Sequence, residues 1–369
     1  MNGKVNNISR IIKNNFVFLF FLSLLSILSI IYPNYLKNYH QFVDWNTVVV
    51  LTGLLIITTA IKESSFFIKT AKRIIDKINN ERNLALMLII LSAILSMFLT
   101  NDIALFIVVP LTLAFKTYLK NDLEKLIIFE AISVNVGSTL SPIGNPQNLF
   151  LWHQWNISFL AFVIKMIPLF VLLFFVLIVF GVIVFKPLKL SLIISENKTE
   201  LNKVLFYISI LILILFVLTV EFGLLNYALL IVFVFYLIFF RRILKKVNWL
   251  LIFLIIIMFI DFQIVSKISI VSNFINQFNL NSSKTIFTLS LFSSQIISNV
   301  PASIFMSKFS HNLLAIAYGV NVGGNGLVIG SLANIIALTF INKKKAWLNF
   351  HKYSLPYIII TGGLVYLFF

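Results

Sequence analysis

Backbone cannot lie in a hydrocarbon layer unless its peptide groups are hydrogen-bonded, so two polar, glycine-rich stretches sunk in long apolar runs constrain this chain more than any other feature. Residues 135–149 read Asn-Val-Gly-Ser-Thr-Leu-Ser-Pro-Ile-Gly-Asn-Pro-Gln-Asn-Leu, and residues 321–335 read Asn-Val-Gly-Gly-Asn-Gly-Leu-Val-Ile-Gly-Ser-Leu-Ala-Asn-Ile. Six of the fifteen positions agree without a gap, and four of the six are Asn or Gly: Asn135/Asn321, Gly137/Gly323, Gly144/Gly330 and Asn148/Asn334. Chance agreement in a chain rich in Ile, Leu and Phe would be aliphatic. Corresponding interruptions of apolar segments in two halves of a membrane protein point to a transporter's binding site.

Composition supports that setting. Of 369 residues 60% are hydrophobic and only 11% charged, which describes a polytopic all-α membrane protein. The longest polar stretches, 62–82 and 186–203, are too short to bury a core of their own, so catalysis outside the membrane is not expected. The absence of cysteine excludes disulfides, thiolate metal sites and cysteine nucleophiles. Residues 16–32 follow Lys4, Arg10 and Lys13 like a signal peptide, but Tyr32-Pro33-Asn34 is no cleavage site, so a retained first helix is expected. The net charge of +17 reads as membrane orientation rather than nucleic-acid binding.

Two apolar arms, 84–98 and 103–115, are too short to cross a core about 30 Å thick, which predicts a re-entrant hairpin over 84–115 with Thr100-Asn101-Asp102 at its tip. A second hairpin is expected over 285–309 with Ser298-Asn299-Val300-Pro301 at its tip, and broken helices over 126–151 and 313–341. With both hairpins re-entrant, most of the 29 Lys and Arg fall on one side, together with the N-terminus, and only Lys37, Lys165, Lys267, Lys284 and Lys308 on the other. A spanning first hairpin would abolish that bias, so the N-terminus is placed in the cytoplasm. Residues 63–82 carry an apolar stripe (Phe67, Ala71, Ile74, Ile75, Ile78) beside Lys69, Lys72, Arg73 and Lys77, as an interfacial helix would. Residues 263–283 keep the stripe and only one lysine, as expected on the opposite face. The expected fold is therefore two inverted-topology repeats, 1–185 and 224–369, joined by a linker helix within 186–223.

The four breaks should converge near mid-membrane and bind an ion. Candidate binding residues are Asn101, Asn135, Gly137, Thr139, Asn145, Asn148, Ser298, Asn299, Asn321, Gly323, Asn325, Ser331 and Asn334. Gly137, Gly144, Gly323, Gly324, Gly326 and Gly330 are expected to permit unwound backbone and close approach of a ligand. Freed N–H groups at half-helix starts favour an anion, while freed carbonyls and amide side chains suit a cation. Buried carboxylates commonly carry protons or cations, so Asp102 and Glu130 are the coupling candidates, and sodium could bind at Asn101, Asp102 and Asn299. Glu221 and Asp261 fall at helix ends, where solvated carboxylates are expected. His40, His153, His311 and His351 lack metal-ligand spacing and read as surface histidines. Gly324-Asn325-Gly326 imitates a phosphate loop, but no strand precedes it.

At these residues the chain resembles the ion transporter superfamily that contains arsenite permeases, citrate and dicarboxylate carriers and sodium/proton antiporters. Thr100-Asn101-Asp102 followed by an apolar run to Pro110 is similar to the first hairpin of the arsenite-permease-like branch, and Gly137 to Asn148 resembles the first unwound helix. Ser298 to Ala302 and Gly319 to Gly326 resemble the second hairpin and second unwound helix. The resemblance implies an elevator-type carrier of the inner membrane with substrate held between the hairpin tips and the breaks. Dicarboxylate carriers of the superfamily have Ser-Asn-Thr at both tips. Here the third positions are Asp102 and Val300, which argues against a two-sodium dicarboxylate site. Antiporter-like branches usually carry an acid where this chain has Asn145, which argues against sodium there.

The expected function is secondary transport of a small inorganic or organic anion (citrate or another carboxylate, an oxyanion or arsenite), coupled to protons, sodium or membrane potential. Sodium/proton antiport is the alternative. No enzymatic activity, cofactor beyond the coupling H+ or Na+, or nucleic-acid partner is expected. The lipid bilayer is the expected surrounding, and a homodimer is an open assembly.

Overall fold

A computed structural model describes residues 16–75, 78, 80–113, 122–189, 201–341 and 345–369. The N-terminal residues expected in the cytoplasm, and most of the basic loops 116–125 and 186–203, lie outside this range, as does Lys77 of the expected interfacial helix. The helices are α1 (Phe16–Ile31), α2 (Trp45–Glu63), α3 (Phe66–Ile75), α4 (Glu81–Phe98), α5 (Asn101–Leu113), α6 (Leu123–Ser138), α7 (Pro146–Trp155), α8 (Phe159–Val184) and α9 (Lys203–Glu221). They continue as α10 (Leu225–Phe239), α11 (Trp249–Ser266), α12 (Ser269–Asn276), α13 (Ser283–Ile297), α14 (Asn299–Met306), α15 (Leu313–Gly323), α16 (Leu332–Thr339) and α17 (Ala346–Phe368). Among the described residues, α2, α4, α8, α9 and α11 are each long and apolar enough to cross a bilayer.

The series from α1 to α8 recurs from α10 to α17, element for element, with α9 between them. Both α2 and α11 begin with tryptophan, Trp45 and Trp249, behind a capping side chain, Asp44 and Asn248. Short amphipathic helices follow in each series, α3 and α12.

Each hairpin folds back at its tip, and its neighbours show the direction of the two arms. Along α4, Ile89 O accepts from Ser133 and Ala93 O lies under Gly137, so α4 and α6 advance together. Along α5 the order reverses: Asn101 bonds to Asn135 and Thr112 to Glu130. In the second hairpin Phe287 lies against Gly319 and Ser294 against Gly323, so α13 advances with α15. The chain has returned by Asn312, whose Nδ2 donates to Ser283 Oγ at the start of α13 (2.9 Å). The first arm is longer than the 15 apolar residues alone predict: Asn80 caps Asn83 N at 2.8 Å and adds Glu81, Arg82 and Asn83 to the helix. At 18 residues it reaches about 27 Å.

The broken helices are interrupted by different chemistry. After α6, Pro142 opens a 3-10 turn ending at Gly144, and Asn145 caps α7, with Pro146 at the first position where its missing N–H costs nothing. After α15 the chain passes a Val328–Gly330 turn without proline, and Ser331 caps α16. The glycines do not serve the unwound conformations expected of them. Among the described glycines only Gly223 has a positive φ. Gly137 and Gly323 lie inside helices and let the hairpin arms approach: a Cβ on Gly137 would stand 2.1 Å from Ala93 O, and one on Gly323 2.6 Å from Ser294 Cβ.

Three other expectations change. Asp261 is fully buried inside α11, since the helix runs on to Ser266. His153 lies in the last turn of α7 and bonds through Nδ1 to Thr47 Oγ1 (3.0 Å). His351 lies in α17, where Nε2 accepts from Val328 N at the second break (3.3 Å). Glu221 is exposed as expected and accepts from Phe159 N (2.9 Å).

Candidate functional site

The two broken helices meet crosswise. α6 packs on α16, and α15 packs on α7, so the first half of each broken helix lies on the second half of the other. Two asparagine pairs bridge the crossing. Asn135 Nδ2 donates to Asn334 Oδ1 at 2.9 Å, and Asn321 Nδ2 donates to Asn148 Oδ1 at 2.7 Å. The matched stretches align Asn135 with Asn321 and Asn148 with Asn334, so exchanging the halves converts one bond into the other. The duplicated asparagines thus join the two halves to each other.

Asn135 is the hub. Its Nδ2 also donates to Gly324 O (3.0 Å), and its Oδ1 accepts from Ser331 Oγ (2.9 Å) and Asn101 Nδ2 (3.4 Å). Asn334 Nδ2 donates to the same Gly324 carbonyl (2.9 Å). Around Asn321, Asn145 Nδ2 donates to Oδ1 (3.4 Å) and Asn325 Nδ2 to the backbone carbonyl (3.1 Å). Asn148 ties its own break by donating to Ser138 O and Thr139 O (3.0 and 3.1 Å). Asn299 Nδ2 lies 3.0 Å from where a Cβ on Gly324 would stand, which brings the second tip to the same carbonyl cluster. These amides are almost wholly buried, where a missing bond would cost about 1–3 kcal/mol.

Of the residues expected at the site, Asn101, Asn135, Asn145, Asn148, Asn321, Asn325, Ser331 and Asn334 form this network, with Asn299 at its edge. Thr139 turns its hydroxyl back to Asn135 O (3.0 Å). Gly137 and Gly323 face the hairpin arms, as described above. Ser298 occupies φ 75° and ψ 159°, a region that non-glycine residues rarely enter, 3.5 Å from Asn299 Oδ1. Asp102 follows the tip amide, whose Oδ1 accepts from Asp102 N (3.0 Å). Glu130 stands apart from the network, with Thr112 donating to Oε1.

Four helices, α5, α7, α14 and α16, begin at the tips and breaks, so their positive ends gather here together with the carbonyl ends of their partners. The amide nitrogens of Asn101, Asn135, Asn145, Asn148, Asn321, Asn325 and Asn334 each donate to a protein acceptor. At the tips and breaks the buried atoms without a hydrogen-bond partner include three acceptors, Asp102 Oδ2, Asn325 Oδ1 and Gln147 Oε1, and the Thr100 hydroxyl. A separate cavity of about 290 Å³ lies between the start of α2, the end of α7 and Lys308, lined also by Asp44, His153 and Phe259.

Gln295 escaped the sequence reading. It sits in the apolar arm α13, where Ser293-Ser294-Gln295 looks like an ordinary polar helix face. Its Nε2 donates to Gly323 O (2.8 Å) and its Oε1 accepts from Leu327 N (2.8 Å), clamping both ends of the second break. The nearby Pro-free, glycine-rich break is the one signal that a side-chain clamp was needed. Gln295→Leu takes the acceptor from Leu327 N and leaves Gly323 O with Gly326 N alone (3.1 Å), so a loss of about 1–3 kcal/mol is expected in thermal unfolding of the purified protein.

The model of the citrate transporter family matches residues 8–313. The inner membrane protein YbiR of Escherichia coli is 34% identical over 90% of this chain and 89% of its own length. The uncharacterized transporter MJ0456 of Methanocaldococcus jannaschii is 36% identical over 96% of this chain and 95% of its own length. The putative transporter arsB of Dictyostelium discoideum is 22% identical over 34% of this chain and 22% of its own length. The chain with crossed, asparagine-bridged broken helices is a multi-pass membrane transporter that belongs to the citrate transporter family.

Proposed function

We propose that the protein is a secondary active carrier of a small anion of the carboxylate, oxyanion or arsenite class, coupled to protons, sodium or membrane potential. The crossed pairs Asn135–Asn334 and Asn148–Asn321 carry this reading, because they hold the starts of two half-helices, α7 and α16, against the carbonyl ends of α6 and α15 in a buried position. Half-helix starts favour an anion without any Lys or Arg, and carbonyl ends favour its coupling cation. The crosswise packing also supports two inverted repeats, 16–185 and 224–369, and the name of the YbiR relative supports a cell inner-membrane location. The N-terminus is assigned to the cytoplasm on the charge bias. No covalent chemistry is assigned.

Asp102 is the coupling group in this reading. It is buried at the first tip with Oδ2 unpartnered. Sodium/proton antiport is the second reading, and the free acceptors Asp102 Oδ2 and Asn325 Oδ1 favour it, since acceptors suit a cation. Proteoliposome flux separates the two. Uptake of citrate, sulfate, phosphate or arsenite that collapses with the proton or sodium gradient supports the first; sodium/proton exchange without any added anion selects the second. In either case Asp102→Asn is expected to insert normally and to lose at least tenfold in coupled flux, equivalent to about 1.4 kcal/mol. Wild-type flux across the pH range in that variant would remove Asp102 from the mechanism.

A further inference from the structure

Another buried acid lies outside this scheme. Asp261 lies in α11, fully buried, and neither carboxylate oxygen has a hydrogen-bond partner among the described residues. The side chains one turn away, Ile257, Met258 and Ile264, are buried hydrocarbon. Phe259 and Phe262 on either side pack on Phe150, Phe21 and Phe305.

None of the titratable groups on the elements around α11 is hydrogen-bonded to Asp261. α1, α12 and α14 contribute none along their lengths. Residues 39–42 bring Tyr39, bonded to Ser29, and His40. α2 brings Glu63, paired with Lys62 and Lys246, and its cap Asp44, bonded to Thr47 N and Gln154. α7 brings His153, bonded to Thr47, while Lys267 lies over Tyr35 and Phe42 and Lys308 lines the peripheral cavity.

An ionised carboxylate with no protein partner is costly among such side chains. A metal ion would need several further oxygens around it, and the one-turn neighbours supply none. A proton needs nothing more. As a packing element the carboxyl is a poor choice, since a leucine would fill the position without a polar cost.

α11 packs directly on α14, the helix that begins at tip residue Asn299. A shift of the second hairpin against α11 therefore changes the surroundings of Asp261 and of the ligand site together. We propose that Asp261 is a proton-carrying site of the transport cycle, distinct from Asp102, which holds its proton while α11 and α14 are packed and releases it when they part. The release half rests on the carrier reading above; the protonated, buried carboxyl does not.

The first test needs no substrate. Dicyclohexylcarbodiimide adds the O–H of a protonated carboxyl across its N=C bond, and acyl migration to nitrogen leaves a stable acylurea. Purified full-length protein treated at pH 7 should carry this label on the Asp261 peptide, and Asp261→Asn should not. An unlabelled Asp261 in protein that labels at Asp102 or Glu130 overturns the proposal. The second test follows internal pH with a trapped dye while proteoliposomes take up citrate, sulfate, phosphate or arsenite. Asp261→Asn and Asp261→Leu should each melt no lower than wild type and move at least tenfold fewer protons per anion. Unchanged proton movement in both variants overturns the coupling role. If wild type carries none of the four anions, the carrier reading has failed for them and the labelling result still decides the proton site.

Discussion

Asn135→Ala is expected to abolish transport and to destabilise the protein by about 3 kcal/mol, because four buried groups lose their partner at once. Ser331 Oγ and Asn101 Nδ2 lose an acceptor, while Asn334 Oδ1 and Gly324 O lose a donor. Only Gly324 O keeps a second donor, Asn334 Nδ2. Asn135→Asp keeps the acceptor oxygen and removes the donor, so it should destabilise less than alanine where the carboxyl can carry a proton. The partner bond supplies the control. Asn321→Ala removes the equivalent crossing bond to Asn148, and its effect should be of the same order. A double-mutant cycle over Asn135 and Asn334 should return a coupling of about 0.5–3 kcal/mol, as neighbours in one network do. Thermal unfolding in detergent reads the stability and proteoliposome flux the activity. Wild-type melting of Asn135→Ala would mean that the crossing is held by apolar packing alone.

How much of this was legible follows from what kind of signal each residue leaves. The breaks at 135–149 and 321–335 stood out because asparagine and glycine are expensive inside apolar runs, and the same cost marked the tips at Asn101 and Asn299. The partners could not be read. That Asn135 meets Asn334 rather than Asn321 follows from the crossing of the helices, and no periodicity along one segment contains it. Gln295 was lost because a polar residue beside two serines in α13 gives no sign of whether it faces lipid, water or a neighbouring carbonyl. Asp261 was misplaced for a related reason: apolarity predicted the end of its segment at residue 261, while the helix continues through Phe262, Ile264 and Val265 to Ser266. Gly137 and Gly323 lie in helices rather than in unwound backbone, since a glycine that relaxes a backbone and one that admits a neighbour look alike in sequence.

That last distinction can be measured with single methyl groups. Gly137→Ala is expected to be the most damaging of the glycine substitutions in the helices. The new Cβ would stand 2.1 Å from Ala93 O and 2.6 Å from Ala93 Cα, both backbone atoms that cannot turn aside. Removing the Ser96 hydroxyl, 2.4 Å from the same point, would therefore not rescue it. The hairpin arm α4 must move off α6 by roughly 1 Å to restore contact distance, an overpacking cost of about 3 kcal/mol. Because α4 ends at the first tip, the movement also carries Asn101 away from Asn135, so flux should fall with stability. Gly323→Ala meets Ser294 Cβ at 2.6 Å and Leu291 O at 2.9 Å, a lesser clash with the same geometry, and should rank below Gly137→Ala. Gly362→Ala meets the ends of two side chains, Leu291 at 3.3 Å and Val322 at 3.9 Å, and Gly363→Ala meets nothing within 4 Å. Both sit inside α17, where alanine favours the helix over glycine by up to about 1 kcal/mol, so they should be neutral or stabilising. Melting temperatures in the order Gly363→Ala, Gly362→Ala, Gly323→Ala, Gly137→Ala, from highest to lowest, would show that these glycines are spaces for the opposing hairpins. If Gly137→Ala melts with wild type, the contact between α4 and α6 is looser than 2.1 Å implies, and the hairpin tip is not held in place by the first broken helix.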